Sequence, residues 1–90
     1  MYAREATVFN KTGLHARPAT DFVTKAKAYQ SKVLLRNLDT DSLASSAKSI
    51  VLVLAQGIGP GNRVEVAAEG ADEREAVDSL IALIETGFGE

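Results

Sequence analysis

Residues 12–29 read TGLHARPATDFVTKAKAY, and the fold turns on where helical periodicity starts within them. Ala19, Phe22, Val23, Ala26 and Tyr29 recur at helical spacing, while Arg17, Thr20, Asp21, Thr24, Lys25 and Lys27 fill the opposite side. Apolar residues at that interval lay a stripe along one face, so the segment is an amphipathic helix. Pro18 sets its start. Proline lacks an N–H and is tolerated only in a first turn, where that donor has no helical partner. The helix therefore begins at about Ala16, and His15 stands just before it.

Upstream, residues 4–9 (REATVF) read as a strand, as do residues 32–36 (KVLLR) downstream. In residues 62–68 (NRVEVAA), Val64, Val66 and Ala68 alternate with Glu65 and Ala67, the pattern of a sheet with one wet face. The polar, turn-rich stretch 37–46 (NLDTDSLASS) can hold a turn and one weak edge strand. Residues 47–55 (AKSIVLVLA) are apolar on nearly every side and are assigned a short helix. Three glycines and a proline make 56–62 (QGIGPGN) a loop with unusual backbone angles. Asp72 followed by Glu75 resembles a capping box, after which Val77, Leu80, Ile81 and Ile84 form a stripe that Gly87 ends. The order β-α-β-β-α-β-α is a split βαβ pattern with an added C-terminal helix, and the one-sided stripes pack the helices on one sheet face.

Ninety residues suit one domain spanning 1–90. A hydrophobic share of 46% with 24% charged residues is that of a globular chain. There is no cysteine and only one histidine, so neither a disulfide framework nor a Cys- or His-based metal site is expected, and no cofactor is called for. No basic region followed by an apolar one opens the sequence, and the longest apolar run, Ile50 to Ala55, is too short to span a bilayer. A soluble cytoplasmic protein, without membrane or nucleic-acid affinity, is the expectation. Net charge is −2 but unevenly spread. Residues 1–36 carry seven cations (Arg4, Lys11, Arg17, Lys25, Lys27, Lys32, Arg36) against Glu5 and Asp21, and the remainder is strongly acidic. That split suits a basic face for an acidic partner or a phosphate.

The chemistry concentrates at the start of the first helix. The backbone N–H groups of Ala16 and Arg17 are free donors there, the positive end of the helix dipole points at His15, and the Arg17 guanidinium can fork onto a phosphate. An imidazole beside those donors offers a nucleophilic nitrogen to an incoming phosphoryl group. The same donors would stabilise the charge of an attached phosphoryl group. Arg17 opposes the helix dipole in the first turn, a local cost that hints at function. No triad and no Gly-rich nucleotide loop accompanies these residues, so the arrangement reads as a relay activated by partners.

On these residues the chain resembles the HPr family of phosphocarriers: GLHARPA at 13–19 matches the family's active-site motif, with further matches at AKSI (47–50), Gly57, VEVAAEG (64–70) and the C-terminal helix. NKTGLHARPA, VLLRN (33–37) and LIALIETGF (80–88) look closer still to the nitrogen branch of the family. The resemblance implies an α+β, open-faced β-sandwich: a four-stranded antiparallel sheet with three helices on one face. It implies that Nδ1 of His15 accepts phosphate from phosphoenolpyruvate by way of enzyme I and passes it to EIIA-type proteins, with Arg17 assisting, in a monomer. The segment 38–46 is a few residues longer than in most members.

The family's regulatory serine corresponds to Ser49, a target of a serine kinase in some bacteria, although a serine before an apolar helix is also an ordinary N-cap. In the family, partners dock on the helix after that serine. A short helix buries about half its circumference, which leaves Ile50, Val51 and Leu54 as the expected docking patch. Two rivals stand beside the carrier reading. A regulatory module that docks without phosphoryl flow would not need His15 with Arg17. An RNA-binding split βαβ domain would want exposed aromatics on its strands, which two Tyr, three Phe and no Trp support weakly.

Overall fold

The alternation in β4 (Arg63–Glu69) organises the sheet. Its Val64, Val66 and Ala68 all point into the core, and the strand sits between two antiparallel neighbours. On one side lies β1 (Tyr2–Thr7), paired from Tyr2 with Ala68 to Thr7 with Arg63. On the other lies β2 (Lys32–Asn37), paired from Lys32 with Glu69 to Asn37 with Val64. The two-residue β3 (Ser45–Ser46) adds to β2 and completes the order β1-β4-β2-β3. This is the split βαβ arrangement, in a computed structural model that describes residues 1–90.

Three helices cover one face: α1 (Ala16–Lys27), α2 (Ile50–Ala55) and α3 (Glu73–Glu85). The stripe of α1 is buried as its spacing requires, with Ala19 and Phe22 wholly enclosed. Ala76, Val77, Leu80, Ile81 and Ile84 of α3 close the other half of a 20-residue core. Removing a side chain such as Phe22 from that core would cost about 3–5 kcal/mol. The four-stranded antiparallel sheet and its three helices agree with the sequence expectation. No helix is long and apolar enough to cross a membrane.

Element boundaries differ where a tertiary partner intervenes. The first strand begins two residues before Arg4, because β4 extends far enough to pair Tyr2 with Ala68. It leaves the regular ladder after Thr7, yet Val8 still donates to Asn62 O (2.9 Å) and accepts from the Gly61 N–H (2.7 Å). The short helix starts at Ile50 rather than Ala47, since the Ala47 N–H donates to Val33 O (2.9 Å) and holds that residue against β2. The Asp72 to Glu75 capping box does not form. The Asp72 carboxylate instead accepts from the N–H groups of Gln30 (2.9 Å) and Ser31 (3.0 Å) and from the Ser31 hydroxyl, tying the α1–β2 turn to the start of α3. Glu73, not Glu75, reaches back, its Oε1 accepting from the Gly70 N–H at 3.2 Å.

Candidate functional site

The loop from Asn10 to Leu14 presents His15, and it is pinned on both sides. The side chain of Asn10, buried, donates to Gly13 O (2.9 Å), and the Gly13 N–H returns a bond to Asn10 O (3.1 Å). Gly13 has φ +66°, and a Cβ there would lie 2.5 Å from Ile58 O and 2.8 Å from Gly59 Cα. Only glycine admits so close an approach of the 56–62 loop. Leu14 follows, with its N–H on Ile58 O (3.0 Å) and its side chain fully buried. Each of these contacts lies immediately before the histidine, so its backbone cannot wander.

His15 itself is exposed, with extended dihedrals (φ −132°, ψ 164°) and no side-chain capping bond. Ala16 then takes φ +51°, a left-handed conformation in a non-glycine residue. Such a residue stores about 1–3 kcal/mol of backbone strain and is characteristic of functional sites. The first helical residue is thus geometrically a hinge between an extended histidine and the regular turn that carries buried Pro18. Neither the Ala16 nor the Arg17 N–H has a backbone acceptor, as the expected anion site requires.

Arg17 is near this point but engaged elsewhere. Its Nη1 donates to Asp21 Oδ2 at 2.9 Å and its Nη2 to Phe88 O at 3.1 Å. The C-terminal turn, a 3-10 segment over Gly87–Gly89, therefore belongs to the site, held there by the buried Phe88 ring. Beyond it the Glu90 carboxylate accepts from Asn10 Nδ2 (3.1 Å), the Thr12 N–H (3.3 Å) and the Thr12 hydroxyl (3.1 Å to Oε2). The Asn10 hydrogen bond first, then those of Thr12 and the charge of Arg17, hold Glu90 below the ordinary carboxylate range. Asn10, Asp21, Phe88 and Glu90 all escaped the sequence reading. The only local signal was a phenylalanine set between two glycines after the helix.

Ser49 caps α2, its hydroxyl accepting from the Leu52 N–H at 3.3 Å. Of the apolar run, Val53 alone is buried. Ile50, Val51 and Leu54 are 39%, 71% and 42% exposed, and Leu52, which the sequence reading left out, is 41% exposed. Phe9 and Leu43 add two further exposed apolar side chains. His15 stands on open surface. The largest groove, about 460 Å³, does not include it and is lined by Asp21, Thr24, Lys25, Ala28, Tyr29 and Leu83.

The family model described as PTS HPr component phosphorylation site matches residues 2–86 of the chain. Phosphocarrier protein NPr of Proteus mirabilis is 37% identical over 87 residues, covering 97% of this chain and 94% of that one. A multiphosphoryl transfer protein of Haemophilus influenzae is 40% identical over 84 residues, of which this chain spans only 17% of the length. The crystal structure of HPr-C-His from Thermoanaerobacter tengcongensis superimposes with a TM-score of 0.93 at 42% identity, covering 100% of this chain and 98% of the other.

Proposed function

The chain belongs to the HPr family, the phosphocarriers of the phosphotransferase system, and on that premise we propose that His15 is the residue that carries the phosphoryl group. The observation that carries this reading is an exposed imidazole placed directly before two backbone N–H groups without acceptors. Its Nδ1 lone pair forms the bond to phosphorus as the donor's own bond to phosphorus breaks, and the ring proton stays on Nε2. The Ala16 and Arg17 N–H groups meet the charge of the arriving group, and the Arg17 guanidinium supplements them. A ring on open surface, rather than in a cavity, suits a donor and an acceptor that are themselves proteins.

Phosphotransferase-system proteins are the partners of this family. For this chain we infer enzyme I, charged by phosphoenolpyruvate, as donor and an EIIA-type protein as acceptor, with the exchange taking place in the cytoplasm by a monomer. The exposed Ile50, Val51 and Leu54 supply an apolar docking face. Ser49, at the head of that face, is the candidate for regulatory phosphorylation by a serine kinase. The rival reading, a module that docks without phosphoryl flow, gives no reason for His15 and Arg17 to stand together at a strained Ala16.

The test is incubation with phosphoenolpyruvate and a catalytic amount of enzyme I from the sugar or the nitrogen branch. One phosphoryl group per chain is expected, labile in acid and stable in base as a nitrogen–phosphorus bond requires, and the faster enzyme I names the branch. His15→Ala should take up nothing. Label on that variant would overturn the assignment. Arg17→Ala should fold and transfer more slowly, and unchanged rates in both directions would remove Arg17 from the site.

A further inference from the structure

Arg17 follows His15 by two residues, and each of its terminal nitrogens already donates one hydrogen bond. Nη1 donates to Asp21 Oδ2 at 2.9 Å and Nη2 to the Phe88 carbonyl at 3.1 Å. Asp21 lies one turn further along α1, in an i,i+4 pair whose side chains are 59% and 40% exposed. The base precedes the acid, the less favourable order for such a pair on a helix. A phosphoryl group is best held by two parallel N–H donors of one guanidinium. Two of the five N–H donors of Arg17 are thus spent, and a phosphoryl group on His15 competes with Asp21 for the charge and position of the guanidinium.

We propose that Asp21 is a positioning residue that tunes how tightly the protein keeps its phosphoryl group, by competing with that group for Arg17. The inference rests on the reading of His15 as the acceptor. While His15 is bare, the Arg17–Asp21 pair stabilises the unphosphorylated form. After transfer, that pairing is weakened and the Asp21 carboxylate, in the second turn of the same helix, repels the newly arrived anion. Both effects penalise the phosphorylated form, and so favour handing the group onward. The Phe88 carbonyl carries no net charge, so it offers weaker Coulombic competition than the Asp21 carboxylate. Asp21 forms no covalent bond in the exchange and moves no proton.

The measurement is the equilibrium ratio of phosphorylated to free chain at a fixed ratio of phosphoenolpyruvate to pyruvate, with enzyme I as catalyst. Asp21→Asn should raise that ratio about threefold to tenfold, the size of a lost exposed ion pair plus relief of short-range repulsion. It should also slow donation to the acceptor protein. Asp21→Glu, which can still pair with Arg17, should restore the parent ratio. In an Arg17→Ala background Asp21→Asn should change the ratio by less than about twofold, because little coupling is left to lose. An unchanged ratio for Asp21→Asn, even with an altered melting temperature, would overturn the proposal and leave Asp21 a structural residue. A full effect persisting without Arg17 would overturn it as well. A parent chain that takes up no phosphoryl group defeats the carrier reading and this proposal with it, whereas uptake with an unmoved ratio defeats this proposal alone.

Discussion

Replacing Gly13 by alanine separates two costs that this loop imposes together, because Gly57 provides a matched control. Gly13 and Gly57 have nearly the same left-handed dihedral, φ +66° and +63°. A Cβ at Gly57 meets nothing within 4 Å, whereas at Gly13 it meets Ile58 O at 2.5 Å and Gly59 Cα at 2.8 Å. Gly57→Ala should therefore cost only the left-handed conformation, about 1–2 kcal/mol. Gly13→Ala adds a backbone clash that no side chain can relieve, comparable to overpacking at about 1–3 kcal/mol, for a total of about 2–5 kcal/mol. In a domain of this size each kcal/mol lowers the melting temperature by about 4–8 °C. Urea unfolding of the three proteins gives the difference directly. Because the clash pushes apart the two loops that the Leu14 N–H to Ile58 O bond joins, phosphoryl uptake by Gly13→Ala should also slow at temperatures where it remains folded. If the two variants lose equal stability to within about 0.5 kcal/mol, the close approach does not constrain the His15 loop and the reasoning fails.

The docking face, the cap and the acid response provide three more tests. Leu54 is 42% exposed, so Leu54→Glu should leave the fold intact yet weaken binding to enzyme I and to the acceptor alike; loss toward one partner alone, seen by titration, would refute a shared face. Ser49→Asp keeps an acceptor for the Leu52 N–H and adds an anion at a helix start, so its urea midpoint should hold or rise, by up to about 0.3–1 kcal/mol of stability, while phosphorylation of His15 slows. Unchanged kinetics at low and moderate salt would reduce Ser49 to a cap. The Ser31 hydroxyl first, then the Gln30 N–H, hold Asp72 below the usual carboxylate range. With the folded value depressed, the unfolded chain takes the proton first as pH falls, so this stabilisation is present above about pH 4 and is lost in acid. Asp72→Asn should then lose less of its urea midpoint than the parent between pH 7 and pH 3, and an equal loss would rule the contribution out.

Much of this molecule is legible residue by residue. The stripe from Ala19 to Ala26, the stop at Gly87, the alternation through Val64, Val66 and Ala68, and Pro18 in a first turn all concern backbone preference or burial within a few positions. Helix and strand periods reveal such features because burial repeats with the geometry of the element. His15 and Arg17 were legible for the same reason, being neighbours of one helix start.

What eluded the sequence were the partners brought together by topology. Strand β4 inserts between β1 and β2, and no local pattern says where the chain ends will then lie. The Asp72 carboxylate reads as a cap, yet it serves a turn 41 residues away. Gln56 reads as the start of a loop, yet it is buried, its Nε2 donating to Leu35 O, Leu43 O and Ser45 Oγ and its Oε1 accepting from the Asn37 N–H. That one side chain anchors the long 38–46 segment beside β2. Likewise Arg17 reads as a free phosphate ligand, and only the packing of Phe88 against the core places a carbonyl 71 residues away within its reach. Which elements form and which residue is the candidate phosphoryl acceptor follow from the order of residues, because they depend on short-range sterics and periodic burial. The tertiary structure alone decided what holds Arg17 and the histidine loop in place, because a hydrogen bond needs its acceptor within about 3 Å, and that proximity is set by chain topology rather than by neighbours in sequence.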